Sequence, residues 1–278
     1  MTEPRIFYGI ERGREIVDRL LALQTAQDVR ILHAVESGSR AWGFASPNSD
    51  WDVRFLYVRP EDWYLSLYEG RDVIELPIAD DLDISGWDLR KALRLMLKGN
   101  PVLFEWLCSP IVYLEGARMT NGDRLMDGFR EVAEPFFNPV AAIHHYLHMA
   151  RNNFRGYLQG DVVRLKKYFY VLRPVLASQW ILQGHGQPPM EFPALSARLI
   201  GPGALREEIE ALLELKRGEE EMAQGVRRPA IHAFLAASLD EIAQWTHWVA
   251  LPPRSDEARR AADRLFRELV RAQDWRAT

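Results

Sequence analysis

The stretch SDWDVRFLYVRP, residues 49–60, constrains what this 278-residue chain can fold into more than any other. Its aromatic and β-branched residues, closed by Pro60, read as a strand. It nevertheless opens with Asp50 and Asp52, one residue apart. Side chains alternate along a strand, so two such acids share a face. Carboxylates are disfavoured in strands and seldom buried unless something pairs with them. The fold must therefore answer two negative charges at one place on a sheet, or leave them in a solvated loop.

The neighbouring segments alternate in type. GREIVDRLLALQ (13–24) has helical spacing, with Ile16, Leu20, Leu21 and Leu23 toward one side. VRILHAVES (29–37) reads as a strand ending at Gly38-Ser39, and the acidic residues after Pro60 suit a helix start. RDVIELPI (71–78) and DLDISGWD (81–88) read as short strands. WDLRKALRLMLKGNP (87–101) reads as a helix stopped by Gly-Asn-Pro. Strands mixed with helices over about 100 residues predict a small sheet-containing domain, placed here at 1–137.

From residue 138 the pattern becomes helical. Five segments carry the period, beginning NPVAAIHHY, DVVRLKKYF, ALREEIEAL, PAIHAFLAA and SDEARRAAD. Gly and Pro punctuate them at QGHGQPP, GPG and LPPRSDE. The expected fold class is α+β: a small mixed sheet with helices over 1–137, followed by an all-helical bundle over 138–278. The run KRGEEEMAQ reads as a solvated helix face.

Charge divides along the same line. Residues 1–137 hold 16 Lys/Arg against 23 Asp/Glu, and residues 138–278 hold 19 against 16. An acidic half joined to a mildly basic one suits a metal site and an anion-binding surface. No run of eighteen apolar residues marks a membrane span and the N-terminus lacks a signal-peptide core, so a cytoplasmic protein with no membrane partner is expected. The single cysteine, Cys108, forms no intramolecular disulfide and reads as an inert buried thiol.

Gly38 and Ser39 follow the first strand, where a glycine lets the backbone approach a phosphate and a serine hydroxyl can bind its oxygens. Two carboxylates on one strand near such a cradle are hard oxygen ligands of the kind Mg²⁺ prefers. Ions held there can align a nucleoside triphosphate and activate a hydroxyl, and a third carboxylate on a neighbouring strand would complete the site.

Gly-Ser, about ten residues, and then Asp-x-Asp in an apolar strand resembles the signature of the DNA polymerase beta-like nucleotidyltransferase superfamily. GSRAWGFASPNSDWDVRF followed by LDISGWDLRKALRLMLKGNPVLFEWLCSP is similar to one branch of it. That branch comprises the predicted nucleotidyltransferases that include RNA-ligase-associated proteins of bacterial RNA repair. The resemblance covers residues 30–110 and continues through LKKYFYVLRPVLA. It implies that the 1–137 domain is the catalytic one. Gly38 and Ser39 would hold the β- and γ-phosphates of the triphosphate. Asp50 and Asp52 would coordinate two Mg²⁺ ions, or Mn²⁺ in their place. Asp83 in DLDIS would be the third metal-binding and catalytic carboxylate and could serve as base, with Glu75 in VIELP as its rival. Asp88 reads instead as a helix-start residue. The reaction implied is transfer of a nucleoside monophosphate to an acceptor hydroxyl with release of pyrophosphate. An RNA 3′ end is the implied acceptor and an RNA ligase a possible partner. Alternatives are a small molecule or protein as acceptor, or a nucleotide-binding protein without catalysis.

Other residues carry weaker signals. Arg40 could pair with a triphosphate or lie at the surface, and Trp42 and Phe44 are expected to pack against the sheet rather than stack on a base. In DVVRLKKYFYVLRP, helical spacing puts Lys166, Tyr170 and Arg173 on one cationic face, with Leu165, Phe169, Leu172 and Leu176 toward the core. The resemblance implies a cationic contact to the triphosphate from this domain, with Lys166 or Lys167 as candidate. His144 and His148 have a zinc-like spacing but no supporting Glu or Cys, and Arg151 and Arg155 could meet an anionic substrate.

Overall fold

The computed structural model describes residues 5–6, 11–115, 124–218, 224–251 and 255–271. In chain order the first part runs β1 (Arg5–Ile6), α1 (Glu11–Ala26), β2 (Arg30–Glu36), a four-residue helical turn α2 (Gly38–Ala41), β3 (Trp51–Val58), α3 (Glu61–Leu65), β4 (Val73–Glu75), β5 (Leu82–Asp88), α4 (Leu89–Lys98), α5 (Pro101–Leu107), β6 (Ile111–Glu115) and α6 (Leu125–Ala133). The strands form one mixed sheet of order β1-β6-β2-β3-β5-β4. β2 lies antiparallel to β3 and β6, β3 parallel to β5, and β4 antiparallel to β5. These strands form where β-branched and aromatic residues concentrate.

Both faces of this sheet are covered. On one, Leu32, Val35, Leu56 and Val58 pack with Leu93 and Met96 of α4, Phe104 of α5 and Phe129 of α6. On the other, Ile31, Ala34, Phe55, Tyr57 and Ile84 meet Ile16 and Leu20 of α1. Burying each such side chain contributes about 1.5–3 kcal/mol against its exposure. Ile16, Leu20 and Leu23 are buried as expected, but Leu21 is 46% exposed, because 100° per residue turns it away from Leu20. Asp88 caps α4: its Oδ1 accepts from the Arg90 N–H at 2.8 Å and its Oδ2 from the Tyr64 hydroxyl at 2.7 Å. Cys108, expected to be buried, is exposed at the end of α5.

The helical part comprises α7 (Pro139–Tyr157), β7 (Val162–Arg164), α8 (Phe169–Leu182), α9 (Phe192–Leu199), α10 (Ala204–Gly218), β8 (Gln224–Val226) and α11 (Pro229–Trp245). α12 (Asp256–Arg271) follows. The chain divides into two compact units: residues 1–38, 50–137 and 252–278, and residues 39–49 with 138–251. The expected bundle over 138–278 is thus corrected at its end. Ala262, Leu265 and Leu269 of α12 join the core beneath α4 and α6. Periodicity reveals a helix but not the surface it seeks. Segment 162–173, expected as one helix, is β7, then a 3₁₀ turn over Leu165–Tyr168, then the start of α8. β7 pairs with β8, and that pairing removes its first residues from the helix. No helix among the described residues is long and apolar enough to cross a membrane.

Candidate active site

In the first unit the site begins at the end of β2, a strand buried along nearly its whole length. Its last residue, Glu36, is fully buried. Glu36 Oε1 accepts from the Asp52 N–H at 2.9 Å and Oε2 from the Tyr113 hydroxyl at 2.6 Å, while its carbonyl accepts from the Ser109 hydroxyl at 2.6 Å. A buried carboxylate is tolerated because these donors replace water. Glu36 therefore ties β2 and β6 to the backbone of Asp52. The sequence reading missed it; the one signal was a lone acid closing the strand VRILHAVES.

Gly38 follows with φ +58°, in the left-handed region. A Cβ at this position would collide with Asp52 Oδ2, so only glycine lets the backbone turn against that carboxylate. The Ser37 N–H donates to the Asp52 carbonyl at 2.8 Å and locks the turn to β3.

β3 starts at Trp51, so Asp50 sits just before the strand and is exposed, a correction to its expected place within it. Asp52 is partly buried, and the parallel register sets it opposite Asp83 of β5. The same register sets Arg54 opposite Ser85. Arg54 Nη2 donates to Asp52 Oδ1 at 3.2 Å and to Asp83 Oδ2 at 2.7 Å; Nη1 donates to the carbonyls of Val53 at 3.0 Å and Asp83 at 2.9 Å. One guanidinium thus spans both carboxylates, a role its fork of donors suits. Glu75 lies on the edge strand β4, 57% exposed at its side chain and paired with Arg71 at 2.5 Å.

In the second unit the segment that opens with Ser39 is held by aromatic rings. Ser39 is buried, and Arg40 closes its own loop by donating to the Ser49 carbonyl at 2.5 Å. Trp42 and Phe44 are buried and pack among rings of this unit. Phe44 stacks on Phe169 at 5.0 Å between ring centroids and meets Phe192 edge-on at 5.9 Å. The Arg173 guanidinium lies 4.8 Å from the Trp42 ring centroid. Arg173, read from the sequence as part of a surface stripe, is fully buried and donates to the Met190 carbonyl at 3.1 Å. Helix α8 is buried on nearly every side, Val171, Pro174 and Val175 as well as Phe169, Leu172 and Leu176, and so leaves no solvent face for that stripe.

Lys167 donates to Asn153 Oδ1 at 3.3 Å and lies over the rings of Tyr157 and Tyr170 at 4.5 and 4.7 Å. Partial burial, with Lys166 and Arg164 nearby, lowers its pKa. Lys166 and Tyr170 are partly buried. Lys216 was read as part of a solvated run, yet it is 5% exposed; residues 219–223 of that run lie outside the described residues. His148 shares a 2.9 Å hydrogen bond with Asn152. Arg151 donates to the Leu239 carbonyl at 3.4 Å.

The fit of a divalent cation can be judged from the first unit. Asp50, Asp52 and Asp83 offer hard carboxylate oxygens, and Gly38 leaves the Oδ2 side of Asp52 clear of any side chain at that position. Among the described residues no three His, Cys, Asp or Glu side chains converge as a ready-made ion site. Asp83 instead leans on Arg54. The residue types fit Mg²⁺, and the arrangement makes Arg54 its competitor.

The family model described as "RNA repair pathway DNA polymerase beta family" matches residues 13–268. "Uncharacterized protein YcgL" of Bacillus subtilis (strain 168) is 50% identical over 230 residues, 82% of this chain and 86% of that protein. A crystal structure described as a nucleotidyltransferase-like protein from Exiguobacterium sibiricum 255-15 aligns over 94% of this chain and 81% of its own, at 14% identity and a TM-score of 0.26.

Proposed function

The chain belongs to the RNA repair pathway DNA polymerase beta family and is a nucleotidyltransferase, and from that premise we propose that it transfers a nucleoside monophosphate from a nucleoside triphosphate to an RNA 3′-hydroxyl. In the reaction the hydroxyl oxygen forms a bond to the α-phosphorus, the bond to the bridging oxygen breaks, and pyrophosphate leaves. The observation that carries this reading is the pairing of Asp52 with Asp83 across β3 and β5, with Gly38 turned against Asp52. It puts two carboxylates side by side where a glycine gives access.

Asp50, Asp52 and Asp83 would hold divalent cations, Mg²⁺ or Mn²⁺. Bound there, the ion would supply Lewis-acid stabilisation of the phosphate charge and lower the pKa of the attacking hydroxyl. The chain's own groups do the rest. Glu36 and Ser37 fix the Asp52 backbone, so its carboxylate is aimed before substrate arrives. Asp83 accepts the proton of the hydroxyl, a role its register with Asp52 favours over Glu75, which is tied to Arg71. Gly38 lets a phosphate approach the Asp52 carboxylate; in the second unit Ser39, Arg40, Lys166, Lys167 and Tyr170 are the polar, cationic and aromatic groups that suit phosphate.

The test is transfer from each α-labelled nucleoside triphosphate, with Mg²⁺ or Mn²⁺, with and without RNA bearing a 3′-hydroxyl. Label should appear on the RNA and vanish with Asp52→Ala while the variant keeps its circular dichroism spectrum. Nucleotide binding without label on RNA would sink the RNA reading.

A further inference from the structure

We infer that the first unit binds single-stranded RNA on a surface separate from its catalytic carboxylates. The surface comprises the cationic ridge Lys91, Arg94 and Lys98 of α4 and the exposed ring of Tyr68. RNA as its occupant rests on the nucleotidyl-transfer reading, whereas the surface itself rests on geometry.

Asp52 and Asp83 lie at the starts of the parallel strands β3 and β5, and α4 begins at the other end of β5, after Asp88. From Asp83 to Asp88 the strand rises about 17 Å. Helix α4, LRKALRLMLK, carries Arg90, Lys91, Arg94 and Lys98 and no acid, in a part of the chain where acids outnumber bases. It buries Leu89, Ala92, Leu93 and Met96. Spacings of three and four then set Lys91, Arg94 and Lys98 along one outward ridge. Helix α12 shows the contrast: its Arg260, Arg264 and Arg267 pair with Glu257 and Asp263 of the same helix.

The counter-charges of α4 come from the loop between α3 and β4. Lys91 meets Asp72 at 3.0 Å, while Arg94 lies 3.8 Å from Glu69 with both side chains largely exposed. Such an exposed pair contributes little and yields to a better partner. Among the described residues Lys98 forms no ion pair. Arg90 is engaged within the fold: it donates to the Tyr64 carbonyl at 3.0 Å and lies 4.8 Å from the Tyr64 ring centroid.

The same loop is pinned and yet presents apolar side chains to water. A Cβ on Gly70 would meet the Trp63 indole at 2.7 Å, so the backbone lies directly on that ring. The Asp72 carbonyl accepts from the Asp88 N–H at 3.0 Å. Before these anchors Leu65, Leu67 and Tyr68 stand out in solvent, Tyr68 at 81% exposure. Among the described residues the Tyr68 ring meets no other ring and no cation. Trp63, Tyr68, Arg90, Lys91 and Arg94 border one cavity of about 40 Å³, space for a small polar group.

A bare aromatic ring held beside a row of cations joins the two elements of single-strand recognition. Bases stack on aromatic faces whatever their sequence, and a positive surface tracks the backbone. A phosphate offers the Arg94 guanidinium two oxygens in place of Glu69, and gives Lys98 the partner it lacks. A duplex hides its base faces and can use the ridge but not the ring. The ridge would hold the body of a strand whose 3′ end reacts at Asp52 and Asp83.

Fluorescence anisotropy of the full chain with a labelled single-stranded RNA, in chelator and at several salt concentrations, tests this. Wild type should bind, with affinity falling as salt rises. The double variant Arg94→Ser, Lys98→Ser should lose about tenfold or more in affinity. It should also lose about 1.4 from the slope of log K against log salt, the share of two phosphate contacts on a single strand. Tyr68→Ala should lose about fivefold or more and keep the slope, because stacking releases no counterions. The three residues are exposed, so the fold should survive, which circular dichroism checks. Should the double variant not fold, Arg94→Gln alone carries the charge test, with about half the change in slope. Unchanged affinity and slope in the charge variant would overturn the inference. An equal effect of Tyr68→Ala on duplex RNA would overturn the single-strand assignment. A wild type that binds no RNA would also overturn it and leave the surface to a protein partner. The two readings fail separately: Asp52→Ala should abolish labelling yet bind RNA as wild type does, and ridge-dependent binding stands even where no label is transferred.

Discussion

Asp52 and Asp83 share the guanidinium of Arg54, and the buried Glu36 receives donors from Tyr113 and Asp52. Lys216, in the other unit, has two aromatic rings and another lysine for neighbours. The difference follows from architecture. Strand pairing sets residues of separate segments opposite one another in fixed register, so a counter-charge can be written two residues along the same strand. In the helical unit, the rings of Phe44 and Phe169 from two segments border a cation with no carboxylate among the described residues paired to it. Where charge is already answered, a ligand must compete for it; where it is unanswered, a ligand relieves it.

The comparison predicts that the two units respond to pH at opposite ends of the scale. The largest effect belongs to His33 in β2. It is 1% exposed, its Nε2 lies 3.4 Å from the Trp106 carbonyl, and burial, with help from Arg130, lowers its pKa to about 3. Glu115 lies 4.0 Å from Nδ1 but is already engaged by Arg130 at 3.3 Å. A depressed value means that the unfolded chain binds the proton first. The stabilisation is therefore complete above about 6.5 and is lost as pH falls toward about 3, at about 1.4 kcal/mol per pH unit and about 4–5 kcal/mol in all. Asp88 has the opposite sign: burial raises its pKa, so its contribution is present in acid and fades as pH rises through the folded value. Urea unfolding of wild type and His33→Gln between pH 7 and 4 separates them. The difference in slope should be the histidine's, and equal slopes would show that His33 is not held neutral.

Next in size is Lys216. Its value of about 8 lies below the ordinary 10.5, so its stabilisation exists above 10.5 and is lost as pH falls through 8. Lys216→Met should consequently be more stable than wild type at pH 7, by about 3 kcal/mol at most, with the gap closing toward pH 10.5. Chemical denaturation at pH 7 and 10 reads this directly. A variant less stable at pH 7 would mean that a carboxylate answers the charge, and the contrast between the units would fail.

How much of this was legible depended on whether a residue's partner is local. Alternation revealed β2, β3 and β5, and the Asp-Leu-Arg junction at 88–90 revealed the start of α4, because both patterns lie within a few residues. Glu36 was not legible, since its donors Tyr113 and Ser109 are more than 70 residues away. Arg54 stood in plain view beside Asp52, but only the register with Asp83 gives it a task. Arg173 was assigned to the surface on the assumption that its helix has a solvent face, and α8 is buried on nearly every side. Helix α9, short and flanked by Gly and Pro, was not anticipated at all.

The acidic site offers two further tests, of decreasing size. Tyr113→Phe removes one donor from the buried Glu36 carboxyl group and nothing else of the ring, and should lower stability by about 2 kcal/mol, as leaving a buried acceptor without its donor does. An unchanged denaturation midpoint would show that Glu36 does not depend on this donor.

Arg54→Met gives the smallest change in stability but the sharpest contrast, because it turns the answered site into an unanswered one. The lost ion pairs are partly exposed, with side-chain exposures of 18% for Arg54, 29% for Asp52 and 31% for Asp83, and a net loss of about 1 kcal/mol is expected. For a chain of this size that lowers the melting temperature by about 2–4 °C. With the guanidinium gone, Asp52 and Asp83 face each other as like charges, and a divalent cation becomes the group that can neutralise them. Mg²⁺ should therefore raise the melting temperature of the variant more than that of wild type, measured against the same proteins in chelator. A cation that stabilised both equally would mean that Arg54 does not compete for these oxygens, and the difference between an answered and an unanswered charge would then lie in burial alone.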